Sequence, residues 1–212
     1  MIRETILATG GWFFLKYIYN KLIIDNDNRH YAISLTNALL MVGYSGSKLL
    51  LNDLNGEMGY DQKLILSILK GYFIYDSINV IKNKQYIYIV HHGLSLIFMN
   101  FFEKYNMKKL FIQSLFIGEL TNPLLNSWKI SKKNGYKKTF RIINHIFTPT
   151  FVVMRGIIMP IQFYKCIEYI YNEPHISKLD LGLVISLSCL FNLGNYIWMN
   201  QLVRGYIKWL DL

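Results

Sequence analysis

The sequence is poor in charged residues and in cysteine. Only 17% of its 212 residues are charged, whereas soluble domains carry about a quarter. Its two cysteines, Cys166 and Cys189, both lie in long apolar runs, so we expect buried thiols and no structural disulfide. The chain also lacks internal repeats and Gly/Ser-rich linkers. These features argue against a soluble fold and against a second domain joined by a linker.

Histidine is too scarce for several classes of membrane enzyme. The five histidines are His30, His91, His92, His145 and His175. No HxxxH or HxxHH box occurs among them, so we expect no metal site of the membrane di-iron type. The last apolar run, 179–207, contains no lysine, which excludes a seven-helix retinal protein. Loop cysteines are missing too, which excludes a cysteine acyl-relay enzyme.

Long apolar runs dominate what is present. Hydrophobic residues make up 52% of the chain and aromatic residues 16%, and the mean hydropathy is positive. Seven runs approach the ~20 residues that cross a hydrocarbon core: 6–24, 31–51, 64–81, 86–103, 108–128, 140–170 and 179–207. Pro149 and Pro160 are predicted kinks in the sixth run. The pattern predicts an all-α, polytopic membrane protein with about seven transmembrane helices.

The net charge of +10 could indicate a nucleic-acid partner. However, the basic residues lie between apolar runs, as in the short cytoplasmic loops of membrane proteins. Most of them fall on the C-terminal side of the predicted topology, including the segment WKISKKNGYKKTFR (128–141). Because basic loops stay in the cytoplasm, we expect a cytoplasmic C-terminus, a lumenal N-terminus and no nucleic-acid binding.

Several polar residues lie inside the runs at a similar depth, in the cytoplasmic half of the predicted bilayer. They are Asp76, His91, His92, Glu119, Asn122, Asn126, His145 and Arg155. Since such groups are costly against lipid, we expect them to face the bundle interior and to line a polar cavity. Hydrogen bonding between helices is the alternative role for any one of them. Lys16, Lys48 and Lys70 are expected to snorkel or to bond between helices.

The adjacent histidines are candidate catalytic groups. Neighbouring helical residues point ~100° apart, so only one of His91 and His92 can face the cavity. His91 shares a face with Ser95, and His92 shares a face with Tyr88 and Ser95. An imidazole titrates near neutral pH, so it can transfer a proton or accept an acyl group. Asp76 could orient that imidazole and set its tautomer.

Four segments carry a resemblance to a known family. They are KGYFIYDSI (70–78), IVHHGLSLI (89–97), GELTNPLLNSWKI (118–130) and VMRGIIMP (153–160). In order and spacing, the chain from about residue 30 to 208 resembles the TLC family (TRAM–LAG1–CLN8 homology). The resemblance implies six membrane helices forming a bundle or barrel around a lipid cavity. We therefore expect an N-terminal transmembrane helix over 1–28 and a TLC domain over 29–212.

The resemblance also implies a function. The best-known activity of the family is ceramide synthesis, the N-acylation of a sphingoid base by acyl-CoA, and His91, His92 and Asp76 match its histidines and acidic position. The next helix has Glu119 where ceramide synthases carry paired aspartates. The chain is therefore closer to the small TLC-domain proteins, whose roles lie in membrane lipid composition, lipid sensing or trafficking.

Two functions are therefore expected. The first is lipid binding or handling in the cavity, which Glu119, Asn122, Asn126, Arg155, Tyr88 and Ser95 would line. The second is an N-acyltransferase reaction with acyl-CoA as co-substrate, entering beside the basic loop 129–141. The expected partner is a membrane lipid such as a sphingoid base or ceramide, with no cofactor. The expected location is the endoplasmic reticulum or a related membrane.

Overall fold

The computed structural model describes residues 2–23, 25–82, 84 and 86–210, apart from the side chains of 26 and 27. Within these residues the structure is helical and contains no strand. The helices are α1 (Ile2–Leu22), α2 (Asn26–Leu50), α3 (Tyr60–Lys82), α4 (Tyr86–Lys104), α5 (Lys108–Glu119), α6 (Asn122–Lys133), α7 (Lys137–Phe151), a π-helical segment (Val152–Ile158), α8 (Met159–Asn172) and α9 (Lys178–Leu210). The all-α prediction is confirmed for the described chain.

Within the described residues, three helical segments are long and apolar enough to cross a membrane. They are α3, the continuous helix Lys137–Asn172 formed by α7, the π segment and α8, and α9. The sequence predicts one membrane helix over 108–128, but in the structure this helix is broken at Leu120 and Thr121. The resulting helices α5 and α6 have 12 residues each, or about 18 Å of rise, well short of a hydrocarbon core. The number of crossings and their orientation stay predictions.

The chain forms two compact units, Met1–Leu115 and Phe116–Leu212. In the first unit, α3 packs against α1, α2 and α4. Consecutive residues of α3 are buried, including Leu69–Phe73, which is typical of a helix covered on all sides. Trp12 and Tyr72 belong to a core cluster of this unit, and the Trp12 indole N–H donates to the Ile68 carbonyl at 3.1 Å. Helix α3 is therefore the central element of the first unit.

One glycine sets the distance between α1 and α3. A Cβ atom at Gly71 would lie 2.8 Å from the Ala8 Cβ and 2.8 Å from the Thr9 backbone nitrogen. Real side chains do not approach backbone atoms this closely, so the two helices can meet here only because residue 71 lacks a side chain. Small residues at such crossings let membrane helices pack closely without a hydrophobic driving force.

An ion-pair network connects the ends of α2, α3 and α5 in the first unit. Lys48 Nζ lies 2.6 Å from Asp53 Oδ2 and 2.6 Å from Asp61 Oδ2. Lys108 Nζ lies 2.6 Å from Asp53 Oδ1. Hydrogen bonds from Lys108 and then Lys48 lower the pKa of Asp53 to about 2. Lys48 therefore joins elements of the fold, as expected from the sequence.

The second unit contains α6–α9 and the C-terminal part of α5. Helices α6 and α7 pack through Trp128, whose indole N–H donates to Asn144 Oδ1 at 3.0 Å and whose ring contacts Phe140 and Phe147. Helix α9 packs against α8 and the π segment. Pro149 and Pro160 flank the π segment, so the helix leaves α geometry in the region where the sequence predicts kinks. The cysteines are both free; Cys166 is buried, but Cys189 is exposed on α9, so the expectation of a buried thiol is wrong for Cys189.

Candidate functional site

Asp76 and His92 meet at the interface of α3 and α4. The distance from His92 Nε2 to Asp76 Oδ2 is 3.4 Å, and the two residues are only 5% and 7% exposed. The Phe73 ring packs edge-on against the His92 ring, with 5.1 Å between centroids. Because an ionisable pair is costly to bury without compensation, this contact marks the interface as a candidate site.

Ser77 contacts the second ring nitrogen of His92. The Ser77 hydroxyl donates to the Phe73 carbonyl at 2.7 Å and lies 3.1 Å from His92 Nδ1. A hydroxyl has a single proton, so when Ser77 donates it to Phe73 it accepts a bond from the His92 Nδ1–H. Nε2 of the neutral imidazole then carries a lone pair, and its contact with Asp76 is attractive only if a proton lies between them. The pair therefore holds one exchangeable proton, on either the imidazole or the carboxyl group.

The two adjacent histidines have different surroundings, as the helical angle requires. His92 is buried, whereas His91 is half-buried, with its ring edge-on to Phe73 at 6.3 Å between centroids. The His91 carbonyl accepts a hydrogen bond from Ser95 Oγ at 2.9 Å. Tyr88 is also half-buried on α4. His92 is thus the better candidate for chemistry with Asp76, a choice that the sequence leaves open.

His30 is a residue of this site that the sequence analysis misses. Its Nδ1 atom lies 3.6 Å from Asp76 Oδ1, so each carboxylate oxygen faces one imidazole. The His30 side chain is 32% exposed, against 6% for that of His92. Its sequence position at the start of an apolar run gives no sign of this role, which depends on how α2 packs against α3.

In the second unit, Arg155 lies at the break between α5 and α6. Its guanidinium group donates to the Gly118 carbonyl and, through Nε at 3.4 Å, to Thr121 Oγ1. Carbonyls in the last turn of a helix lack intrahelical partners, so Arg155 satisfies one at the end of α5. Glu119 is buried as well, accepts from Asn122 Nδ2 at 2.9 Å and attracts Arg155 electrostatically.

The other predicted polar residues of this unit differ in position. Asn126 is buried and donates to the Asn122 carbonyl at 3.0 Å, one turn earlier on α6. His145 is exposed on α7, and its ring contacts Tyr206 and Trp209 of α9. The structure therefore brings Glu119, Asn122, Asn126 and Arg155 into one cluster. A single cavity shared with Asp76 and His92 stays a prediction.

No cluster of three or more His, Cys, Asp or Glu side chains suited to a metal ion occurs within the described residues. Membrane helices built around buried polar pairs define the chain as a helical integral membrane protein. The family model of the TLC domain matches residues 28–204, a range that includes every residue of both clusters. The chain belongs to the TLC domain family. No curated protein matches it.

The Arg155 cluster yields a stability prediction. We expect Arg155→Gln to lower the free energy of unfolding by about 1–3 kcal/mol, because the variant removes the hydrogen bond that satisfies the Gly118 carbonyl at the end of α5. Arg141→Gln, an exposed site on α7, is the matched control. Denaturant unfolding in detergent measures all three proteins, and equal stability of the Arg155 and Arg141 variants would contradict the assignment.

Proposed function

We propose that this TLC domain protein binds a membrane lipid in an intramembrane cavity and thereby alters membrane lipid composition or trafficking. The observation that carries the proposal is the buried contact between His92 and Asp76 on two packed helices. A polar pair at such a position can recognise the polar head of a lipid whose chains remain among apolar helices. Family membership supports lipid as the ligand.

A second candidate function is the N-acylation of a lipid amine, such as a sphingoid base, by acyl-CoA. The specific observation in its favour is the contact of Ser77 with His92 Nδ1, which leaves Nε2 as the nitrogen that can act as a base. As the amine nitrogen bonds to the thioester carbon, Nε2 takes the N–H proton, the C–S bond breaks and the proton passes to the thiolate. The products are an amide and free CoA. Asp76 would stabilise the imidazolium formed in between.

Nε2 could instead attack the thioester carbon itself. The C–S bond would break as the CoA thiolate leaves, and the imidazole would carry the acyl group until the lipid amine displaces it and the amine N–H proton passes to the thiolate. Both routes need the Nε2 lone pair, which becomes available when the Asp76 contact opens and its proton stays on the carboxyl group. Both routes are lost when His92 is replaced.

The proposed location is the endoplasmic reticulum or a related membrane, with the N-terminus lumenal and the C-terminus cytoplasmic. The basic segment 128–141 supports this orientation by the positive-inside rule. A C-terminal tag should be digested by protease added to intact microsomes. Protection of that tag would reverse the proposed topology.

Substitutions of the two histidines test whether His92 has the proposed role in lipid binding or only a structural one. In cells that express each variant at equal abundance, we expect His92→Ala and Asp76→Asn to shift the lipid profile back toward that of cells lacking the protein. His91→Ala should have a smaller effect, because His91 is half-buried beside Phe73. Untargeted lipidomics measures the profile. Wild-type lipid profiles for both the His92 and Asp76 variants would refute the proposal.

A purified-protein assay with acyl-CoA and a sphingoid base distinguishes the two candidate functions. If the chain is an acyltransferase, His92→Ala should lower the amide-forming rate by about 10²–10⁴-fold. Absence of any amide product with the wild-type protein, together with an altered lipid profile in cells, would leave lipid binding as the function.

A further inference from the structure

A second feature of the first unit lies apart from the Asp76–His92 contact. Helices α1, α3 and α4 form the walls of an open groove with a volume of about 430 Å³. Its walls include Ile6 of α1, Lys70 and Ile74 of α3, and Leu96 and Glu103 of α4. The volume falls within the range of small-molecule sites, ~300–1,000 Å³. Ile6 is 65% exposed, so the groove opens on the surface that membrane lipid would cover.

The groove contains an ion pair with unused hydrogen-bonding capacity. Lys70 Nζ donates to Glu103 Oε2 at 2.6 Å, with side-chain exposures of 9% for Lys70 and 29% for Glu103. An ammonium group has three donors and a carboxylate has two acceptor oxygens. The described contacts of this pair use one donor and one oxygen. If the Lys70–Glu103 pair served only to link α3 and α4, neither charge would need to line an open groove.

The signs of the two charges select the ligand. A purely anionic head group is attracted by Lys70 but repelled by Glu103, and a purely cationic one meets the reverse. A zwitterion with a phosphate and an ammonium group matches both charges at once, so it avoids the like-charge penalty. Ile6, Ile74 and Leu96 offer apolar surface beside the pair, which suits the first methylenes of an acyl chain.

We propose that this groove is a binding site for a zwitterionic phospholipid. The lipid phosphate contacts Lys70, its ammonium group contacts Glu103, and its chains run past Ile74 and Leu96 into the bilayer. The apolar walls favour a lipid over a free soluble head group of the same chemistry, because a soluble head group buries no apolar surface there.

The groove lies on the faces of α3 and α4 that also carry Ser77 and His92. On α3, Ile74 and Ser77 follow Lys70 at helical spacing, and on α4, Leu96 precedes Glu103 by two turns and follows His92 by one. A lipid in the groove would therefore have its chains beside the candidate site. The inference goes beyond the proposed function, since the groove is a second lipid site that does not use the His92–Asp76 contact.

Native mass spectrometry of the purified full chain tests the groove. The probes are phosphatidylcholine, phosphatidylglycerol and diacylglycerol with identical chains, and soluble glycerophosphocholine. We expect the wild-type protein to prefer phosphatidylcholine by about tenfold over phosphatidylglycerol, which corresponds to ~1.4 kcal/mol. Glu103→Gln should reverse this preference, because Lys70 then lacks an opposing charge. Lys70→Gln should weaken binding of both phospholipids, and Lys70→Arg should retain it.

Two charge variants and one tryptophan variant outside the groove serve as controls. Lys63→Gln and Glu57→Gln remove the same charges from exposed positions outside the groove and should leave the lipid preference unchanged. Ile6→Trp should block the groove without touching the ion pair, whereas Leu7→Trp, at a site that is also 65% exposed, should not. Equal binding of phosphatidylcholine by the Ile6 and Leu7 variants, or an unchanged preference in Glu103→Gln, would overturn the proposal. Because no turnover is measured, this failure is distinct from a failure of the His92 prediction.

Discussion

The contact between His92 and Asp76 is the constraint on which the first unit depends. Both groups lie in helices of a membrane protein at exposures of 5% and 7%, where an uncompensated charge is costly. The cost is offset only if the imidazole and the carboxyl group share a proton, with Ser77 holding the other imidazole nitrogen. The register of α3 against α4 therefore cannot slip without exposing a charge to an apolar environment. A buried pair of this kind fixes the packing of α3 against α4 and at the same time provides a titratable group.

Helix α3 carries several of these contacts on different faces. Gly71 allows close approach of α1. Lys70 and Asp76 contact Glu103 and His92 of α4, and Asp76 also faces His30 of α2. One glycine and two polar groups on the central helix thus connect three neighbours. In a membrane, where lipid competes with apolar packing, such contacts determine which helices associate. This arrangement explains how a short chain can position a buried ionisable pair.

The sequence predicts part of this structure. Hydropathy alone predicts the helices, and the isolated polar residues within apolar runs point to Asp76, His92, Glu119 and Arg155. Other features depend on tertiary packing that no local pattern records. The role of His30 requires α2 to lie against α3, and the break at Leu120–Thr121 is stabilised by Arg155 from more than thirty residues away. The sequence predicts only that Lys70 snorkels or bonds between helices, because neither its partner Glu103 nor a groove has a signature in the sequence.

The central claim is that Asp76 and His92 act as one unit, and a double-mutant cycle tests it most directly. The measurement is the change in cellular lipid composition, at matched protein abundance, caused by Asp76→Asn, His92→Gln and the double variant. Coupled residues give a double variant no worse than the more severe single variant, because either change already destroys the shared-proton contact. Additive effects of the two substitutions would contradict the account and would make them independent polar residues of the helix interface.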